Sequence, residues 1–104
     1  MVPPPKVFRL VYRSFERFQF DDDKSAEVEA DRGFDLNYAT EIFPGYVLER
    51  QDTRYTQEAR YQAIGEIFGD VIFVVYTRRN GVCRIITAWR ATAFERDLWY
   101  DYAR

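Results

Sequence analysis

The alternation of apolar and polar positions is clearest in the second half of the chain. The run Val71-Ile72-Phe73-Val74-Val75-Tyr76 is apolar at both parities, which predicts a central strand covered on both faces. Asn80-Gly81 follows and predicts a type I′ hairpin, with residues 82–88 as the return strand. Residues 60–67 read as a strand with mixed faces, joined to the central strand by a Gly69-Asp70 turn. Those turns set a register. Arg79 opposes Val82, Thr77 opposes Arg84, Val75 opposes Ile86 and Phe73 opposes Ala88; Ile64 opposes Val75 and Gln62 opposes Thr77. One face then carries an apolar row, Ile64-Val75-Ile86, beside a polar row, Gln62-Thr77-Arg84, with Arg60 just beyond. A polar row flanking a packed one forms the lip of a site, or else is an ordinary solvated sheet end.

The first half is less regular. Phe8, Leu10 and Tyr12, then Phe18 and Phe20, fall on even positions interrupted by Ser14 and Glu16, which predicts two short strands or one broken strand. Asp21-Asp22-Asp23 suits a helix N-terminus better than a divalent metal, because carboxylates there satisfy free N–H groups and the dipole. The helix runs over residues 22–32 and stops at Gly33. Asp35 caps a second helix through Tyr38, Ala39, Ile42 and Phe43, ended by Pro44-Gly45. Residues 46–49 read as a short strand and residues 51–57 as an exposed polar loop. Thr92 and Glu95 form a capping box that opens a last helix, whose stripe of Phe94, Leu98, Tyr102 and Trp99 packs on the sheet or meets a partner. Pro3-Pro4-Pro5 is a stiff arm outside the core. The expected fold is α+β: an antiparallel sheet with two N-terminal helices and one C-terminal helix.

Composition narrows the chemistry. The 104 residues suit one domain over residues 1–104, and an aromatic share of 18% supports a real core at that size. A net charge of −2 excludes binding to nucleic acid through the overall field and leaves only a local basic patch. Cys83 is the one cysteine and there is no histidine, which excludes an intrachain disulfide, a Cys/His zinc site and histidine-based triads. Cys83 reads as a buried thiol. No apolar stretch reaches the ~20 residues of a membrane span, and the start of the chain has no apolar signal region. The expectation is a cytoplasmic protein with no cofactor, no metal and no membrane contact.

The order of motifs resembles a known family, the BrnT toxins of bacterial type II toxin–antitoxin modules. The segment Phe18-Gln19-Phe20-Asp21 with Lys24 is similar to the family's opening. So are Asp31-Arg32-Gly33-Phe34 at the end of the first helix, the Glu58, Arg60, Tyr61, Ile64, Gly65 block, and the strand Val74-Val75-Tyr76-Thr77. The run from Arg84 through Ile85, Ile86, Thr87, Ala88, Trp89 and Arg90 to Ala91, then Thr92 and Glu95, completes the match. Residues 1–17 read as an N-terminal extension. Two departures stand out: Asp31-Arg32 replaces a Lys-His pair, and Trp89 replaces an arginine.

The resemblance implies a RelE-like fold and a metal-independent endoribonuclease that arrests growth. It also implies a ribbon-helix-helix antitoxin of the BrnA type that neutralises the toxin, so that DNA is contacted only through that partner. Without histidine, the 2′-hydroxyl attack on its own phosphate needs other groups. Arg60, Arg84 and Arg90 are candidates to neutralise the phosphate, with Thr87 beside them. Glu58 is the candidate base, and Tyr61 or Tyr76 a proton donor. Tyr76, Lys24 and Arg32 are candidate substrate-binding residues. The bland counterpart is an exposed Glu58–Arg60 ion pair and a core Tyr76. Two alternatives remain: a catalytically inactive toxin-like scaffold that only binds an antitoxin or other protein, favoured by the two departures, and an aromatic-rich protein-binding module outside the family. The C-terminal helix and the N-terminal extension are the candidate antitoxin surfaces.

Overall fold

Six strands build one sheet in the order β1-β3-β4-β5-β6-β2 in a computed structural model that describes residues 7–54 and 57–102. The strands are β1 (Arg9–Arg13), β2 (Arg17–Gln19), β3 (Gly45–Asp52), β4 (Arg60–Ile67), β5 (Asp70–Arg79) and β6 (Val82–Arg90). Neighbours are antiparallel except β2, which lies parallel to β6. The helices are α1 (Asp22–Arg32), α2 (Leu36–Ala39), continued by a 3-10 turn over Thr40–Ile42, and α3 (Ala93–Tyr102). The α+β expectation holds. The Pro3-Pro4-Pro5 arm lies outside the described residues.

Local signals explain the helices. The Asp21 carboxylate accepts from the Lys24 N–H at 2.9 Å, Asp22 and Asp23 fill the first turn, and Gly33 closes α1 at φ 81°. Asp35 accepts from the Tyr38 N–H at 2.8 Å and starts α2. Ser25, buried in α1, accepts from the Leu36 N–H and ties the two helices. Together they cover one face of the sheet. Val28, Leu36, Ile42 and Phe43 pack there on Val47, Ala63, Val74, Tyr76 and Ile85. Gly65 lets the 3-10 turn approach, since a Cβ there would stand 2.7 Å from the Cβ of Ile42.

The even-position pattern at the start of the chain resolves into two strands on opposite edges of the sheet. Between them the chain crosses the helix-bearing face. Phe15 packs edge-on against Phe43 and Tyr76, and the Glu16 N–H donates to the Gly81 carbonyl at 2.8 Å.

The central strand is as expected: Val71 to Thr77 are all buried. The Asn80-Gly81 turn also holds, with φ of 51° and 80°, and Arg79 opposes Val82 and Thr77 opposes Arg84. Beyond Tyr76 the register shifts at a bulge. Val75 opposes Thr87 and Phe73 opposes Trp89, not Ile86 and Ala88, because Ile86 is the extra residue of β6. The β4–β5 turn is Phe68-Gly69 rather than Gly69-Asp70. Both turn residues take positive φ, while Asp70 stays in the strand, held by the Tyr38 hydroxyl and Arg90. Ile64 therefore opposes Phe73 and Gln62 opposes Val75.

β3 is longer than expected. Gln51 and Asp52 belong to it and pair with Tyr61 and Arg60, so the polar loop begins later; Thr56 lies outside the described residues. The second sheet face is covered only in part, by α3. Thr92 and Glu95 form the expected reciprocal caps at 3.2 and 2.9 Å. Leu98 and Trp99 pack inward, but Phe94 and Tyr102 are 72% and 59% exposed, so the predicted stripe is only half used.

Candidate functional site

β3 carries two buried carboxylates, Glu49 and Asp52, on opposite faces. Glu49 lies on the helix-bearing face. It accepts two hydrogen bonds from Arg13 at 2.9 and 2.7 Å, two from Arg78 at 3.1 and 3.3 Å, and one from the Tyr76 hydroxyl. Arg78 also stacks over Tyr61 at 4.0 Å. Burial pushes the Glu49 carboxyl up, but the bonds from Arg13 and Tyr76 and the charge of Arg78 outweigh it and hold it below the usual carboxylate range. Burial first, then Glu49, pushes the Tyr76 phenol far up. Glu49 is the hub of this cluster, which borders a small pocket of about 190 Å³ lined by Arg13, Tyr61 and Arg78. Cys83, buried nearby, has its thiol raised to about 12 by burial, so it is no nucleophile at neutral pH.

Asp52 lies on the other face, at the end of a chain of hydrogen bonds. Arg50 Nε donates to Gln62 Oε1 at 2.7 Å, Gln62 Nε2 donates to Asp52 at 3.1 Å, and Arg54 binds the same carboxylate through two nitrogens at 2.9 and 2.6 Å. The bonds from Arg54 outweigh burial and hold the Asp52 carboxyl down at about 2. This network floors an open cleft of about 530 Å³ whose wall includes Phe73, Trp89 and Glu95. Phe73 and Trp89 stack at 4.5 Å and 8°, and the Trp89 indole donates to Glu95 at 3.1 Å.

The same face carries the polar row. Arg60 opposes Asp52, and Arg84 opposes Thr77. Extending the Tyr61–Tyr76 pairing by one place sets Arg60 across from Thr77, so Arg60, Thr77 and Arg84 run side by side on three strands. The expected row was right in Thr77 and Arg84 and one place off in Gln62, which belongs to the next row with Val75 and Thr87.

The candidate site residues are thus only partly brought together. Arg60, Arg84 and Thr87 share the open face, and Glu58 is exposed in the loop that leads into Arg60. Tyr61 and Tyr76 are on the opposite face, because the parity of β4 and β5 turns them toward the helices; Tyr76 is fully buried. Arg90 also faces the helices. It donates to the Arg32 carbonyl at 2.7 Å and to Asp70 at 3.3 Å, and lies over Phe34, so it fastens the end of α1 to the sheet. Lys24 pairs with Glu27 on α1. Arg32 is half-buried at the other end of that helix. The residues that sequence reasoning passed over are Arg50 and Asp52. Their parity with Tyr46 and Leu48 was a signal, once β3 is carried on past Glu49.

Residues 20–95 match a family model described as the ribonuclease toxin BrnT of type II toxin–antitoxin systems. The chain belongs to the BrnT family. No curated protein matches it. Membership of BrnT brings with it an antitoxin partner, since the family is one half of a type II system. The BrnT match begins at Phe20, so β1 and β2 lie outside it, although both join the sheet and β1 supplies Arg13 to Glu49. Among the described residues no helix is long and apolar enough to cross a membrane.

Proposed function

We propose that this BrnT chain is a RelE-like, metal-independent endoribonuclease that cuts RNA on the open sheet face. The observation that supports this reading is the juxtaposition of Arg60 and Arg84 on either side of Thr77, on the face the N-terminal helices leave bare. Two guanidinium groups there neutralise the non-bridging oxygens of a scissile phosphate, and the half-buried Thr87 offers a hydroxyl on the same face. Glu58, at the mouth of the row, takes the proton of the 2′-hydroxyl. The 2′-oxygen bonds to phosphorus as the bond to the 5′-oxygen breaks. Asp52 cannot supply the proton to that leaving oxygen, because it stays ionised down to about pH 2, and Tyr76 is sealed on the other face. The proton comes from water at this open site.

The biological setting of the reading is a bacterial cytoplasm, with growth arrest on expression. A ribbon-helix-helix antitoxin neutralises the chain and carries the DNA contact of the pair. The exposed aromatics Phe94 and Tyr102 of α3 line a smaller pocket of about 280 Å³ that shares Arg50, Phe73 and Glu95 with the cleft, and they suit a protein that covers both.

The test is expression of the wild type and of the Arg60→Ala, Arg84→Ala double variant without the antitoxin. Growth arrest and RNA cleavage by the wild type, both lost in a folded double variant, are the expected result. Unchanged toxicity in that variant overturns the assignment. A folded wild type that neither arrests growth nor cuts RNA supports the scaffold reading, which the replacement of a family arginine by Trp89 favours.

A further inference from the structure

We infer that the cleft beside the phosphate row is a nucleobase subsite with a preference for guanine; this rests on the ribonuclease reading and adds to it the base that is recognised. The cleft, about 530 Å³, falls in the size range of small-ligand sites. It opens on the same sheet face as Arg60 and Arg84, with Gln62 and Asp52 linking the two regions. A nucleotide whose phosphate sits on the arginine row therefore has its base within reach of the cleft.

The wall of the cleft suits a base. Phe73 and Trp89 form a stacked pair, and Phe73 is held in turn by an edge-on contact with Phe8. The indole N–H of Trp89 is already committed to Glu95, so its ring is fixed in tilt and presents apolar surface. Aromatic walls of this kind hold bases whatever their identity.

Selectivity comes from two polar side chains of the lining, Glu95 and Arg50. Glu95 Oε1 accepts from the Thr92 N–H and from Trp89, and Oε2 accepts no hydrogen bond among the described residues, which leaves an acceptor for N–H groups of a base. Arg50 also lines the cleft. Its Nε is anchored by Gln62, whose amide is oriented in turn by Asp52, and its guanidinium carbon lies 4.4 Å from the centre of the Phe8 ring. Guanine alone pairs an acceptor edge, O6 and N7, that matches an arginine fork with an adjacent donor edge, N1–H and N2–H, that matches a carboxylate. Asp52 and Gln62 are positioning residues here, and Arg50 and Glu95 touch the base.

The test is calorimetric titration of the full chain with guanosine, adenosine, cytidine and uridine 5′-monophosphates. The Trp89 indole N–H signal is followed in parallel by NMR. Guanosine monophosphate is expected to bind about tenfold tighter than cytidine monophosphate and to shift that signal. Glu95→Gln, which keeps an oxygen for the Thr92 cap but places an N–H toward the base, is expected to abolish the preference. Trp89→Ala should weaken all four nucleotides. Equal binding of all four, no binding, or an unmoved indole signal overturns the proposal. Failure of the ribonuclease reading is seen separately: guanosine selectivity with no RNA cleavage leaves the subsite standing, whereas RNA cleavage with base-indifferent binding and cutting removes the subsite alone.

Discussion

Glu49 and Asp52 sit on one strand, are both buried and are both bound by arginine, yet they belong to different kinds of place. Around Glu49 the two arginines come from separate strands, β1 and β5, and each keeps only 30% of its side-chain surface exposed. Tyr76 closes the remaining side. Around Asp52 the arginine comes from a loop and is 73% exposed, and the cluster opens on a cleft. A buried ion pair therefore does not by itself mark a site. What separates the two is how far the arginines reach into solvent: those around Glu49 are mostly covered, whereas Arg54 is largely exposed. On the helix-bearing face the arginines tie β1 and β5 to β3; on the other face Arg54 reaches the same strand from a loop at the edge of the cleft.

The largest effect expected from this contrast is structural. Glu49→Gln removes the charge that balances Arg13 and Arg78 and leaves two half-buried cations facing each other. Breaking such a pair costs about 3 kcal/mol or more. Urea unfolding should show that loss, together with release of β1 from the edge of β3. If Glu49→Gln unfolds at the wild-type midpoint, the charge of Glu49 does not hold β1 to the sheet.

Arg84→Ala should behave in the opposite way. The side chain is exposed, so stability should stay within about 0.5 kcal/mol of the wild type. RNA cleavage should fall by about 10² or more if the guanidinium meets charge that develops at the phosphate. Cleavage assays beside melting curves separate the two effects. Equal losses in both would erase the distinction between the faces.

The legibility of the chain follows the same division between local and distant causes. The start of α1 at Asp21, the start of α2 at Asp35 and the Thr92–Glu95 box were readable because each rests on a side chain bonded to backbone a few residues away, and the end of α1 at Gly33 and the Asn80-Gly81 turn because those residue types suit positive φ. The bulge at Ile86 was not, since nothing in an Ile-Ile pair marks which residue is extra. Nor was the Phe68-Gly69 turn, which puts a bulky residue at φ 46° where glycine or asparagine is expected. The parallel pairing of β2 with β6 depends on residues far apart in the chain. At the site, Arg60, Thr77 and Arg84 were legible from strand parity. The cleft was hidden because Arg50 and Asp52 read as polar residues near a loop, and because Trp89 was seen only as a lost arginine.

Acid should act on the Asp52 side. Its carboxyl is held at about 2 in the folded protein, below the ordinary value it recovers on unfolding. The linked stabilisation is therefore fully present above about pH 4 and is lost as pH falls toward 2. Because Arg54 is largely exposed, solvent screening keeps the amount to about 1 kcal/mol. Glu49 is also lowered and acts in the same direction, so the measurement is the difference between wild type and Asp52→Asn. The wild-type advantage in urea should shrink between pH 4 and 2. A difference that stays constant over that window would mean Asp52 contributes through packing and not through its charge.

The smallest effect sharpens where the open face gets its one wall. α3 has no buried residue and touches β4 and β5 through Leu98, Trp99 and the Trp99–Glu66 hydrogen bond. Its first turn is held by the Thr92–Glu95 caps, and Glu95 also orients Trp89 over the cleft. Thr92→Ala removes one of the two caps and should cost about 1 kcal/mol, confined to this helix. Local opening of α3 should then raise amide exchange in residues 93–98, while exchange in β3 and β5 near Glu49 stays at the wild-type rate. If the effect instead spreads to β1 and the Glu49 cluster, the two faces unfold as one unit, and the face under α3 does not open independently of the helix-bearing one.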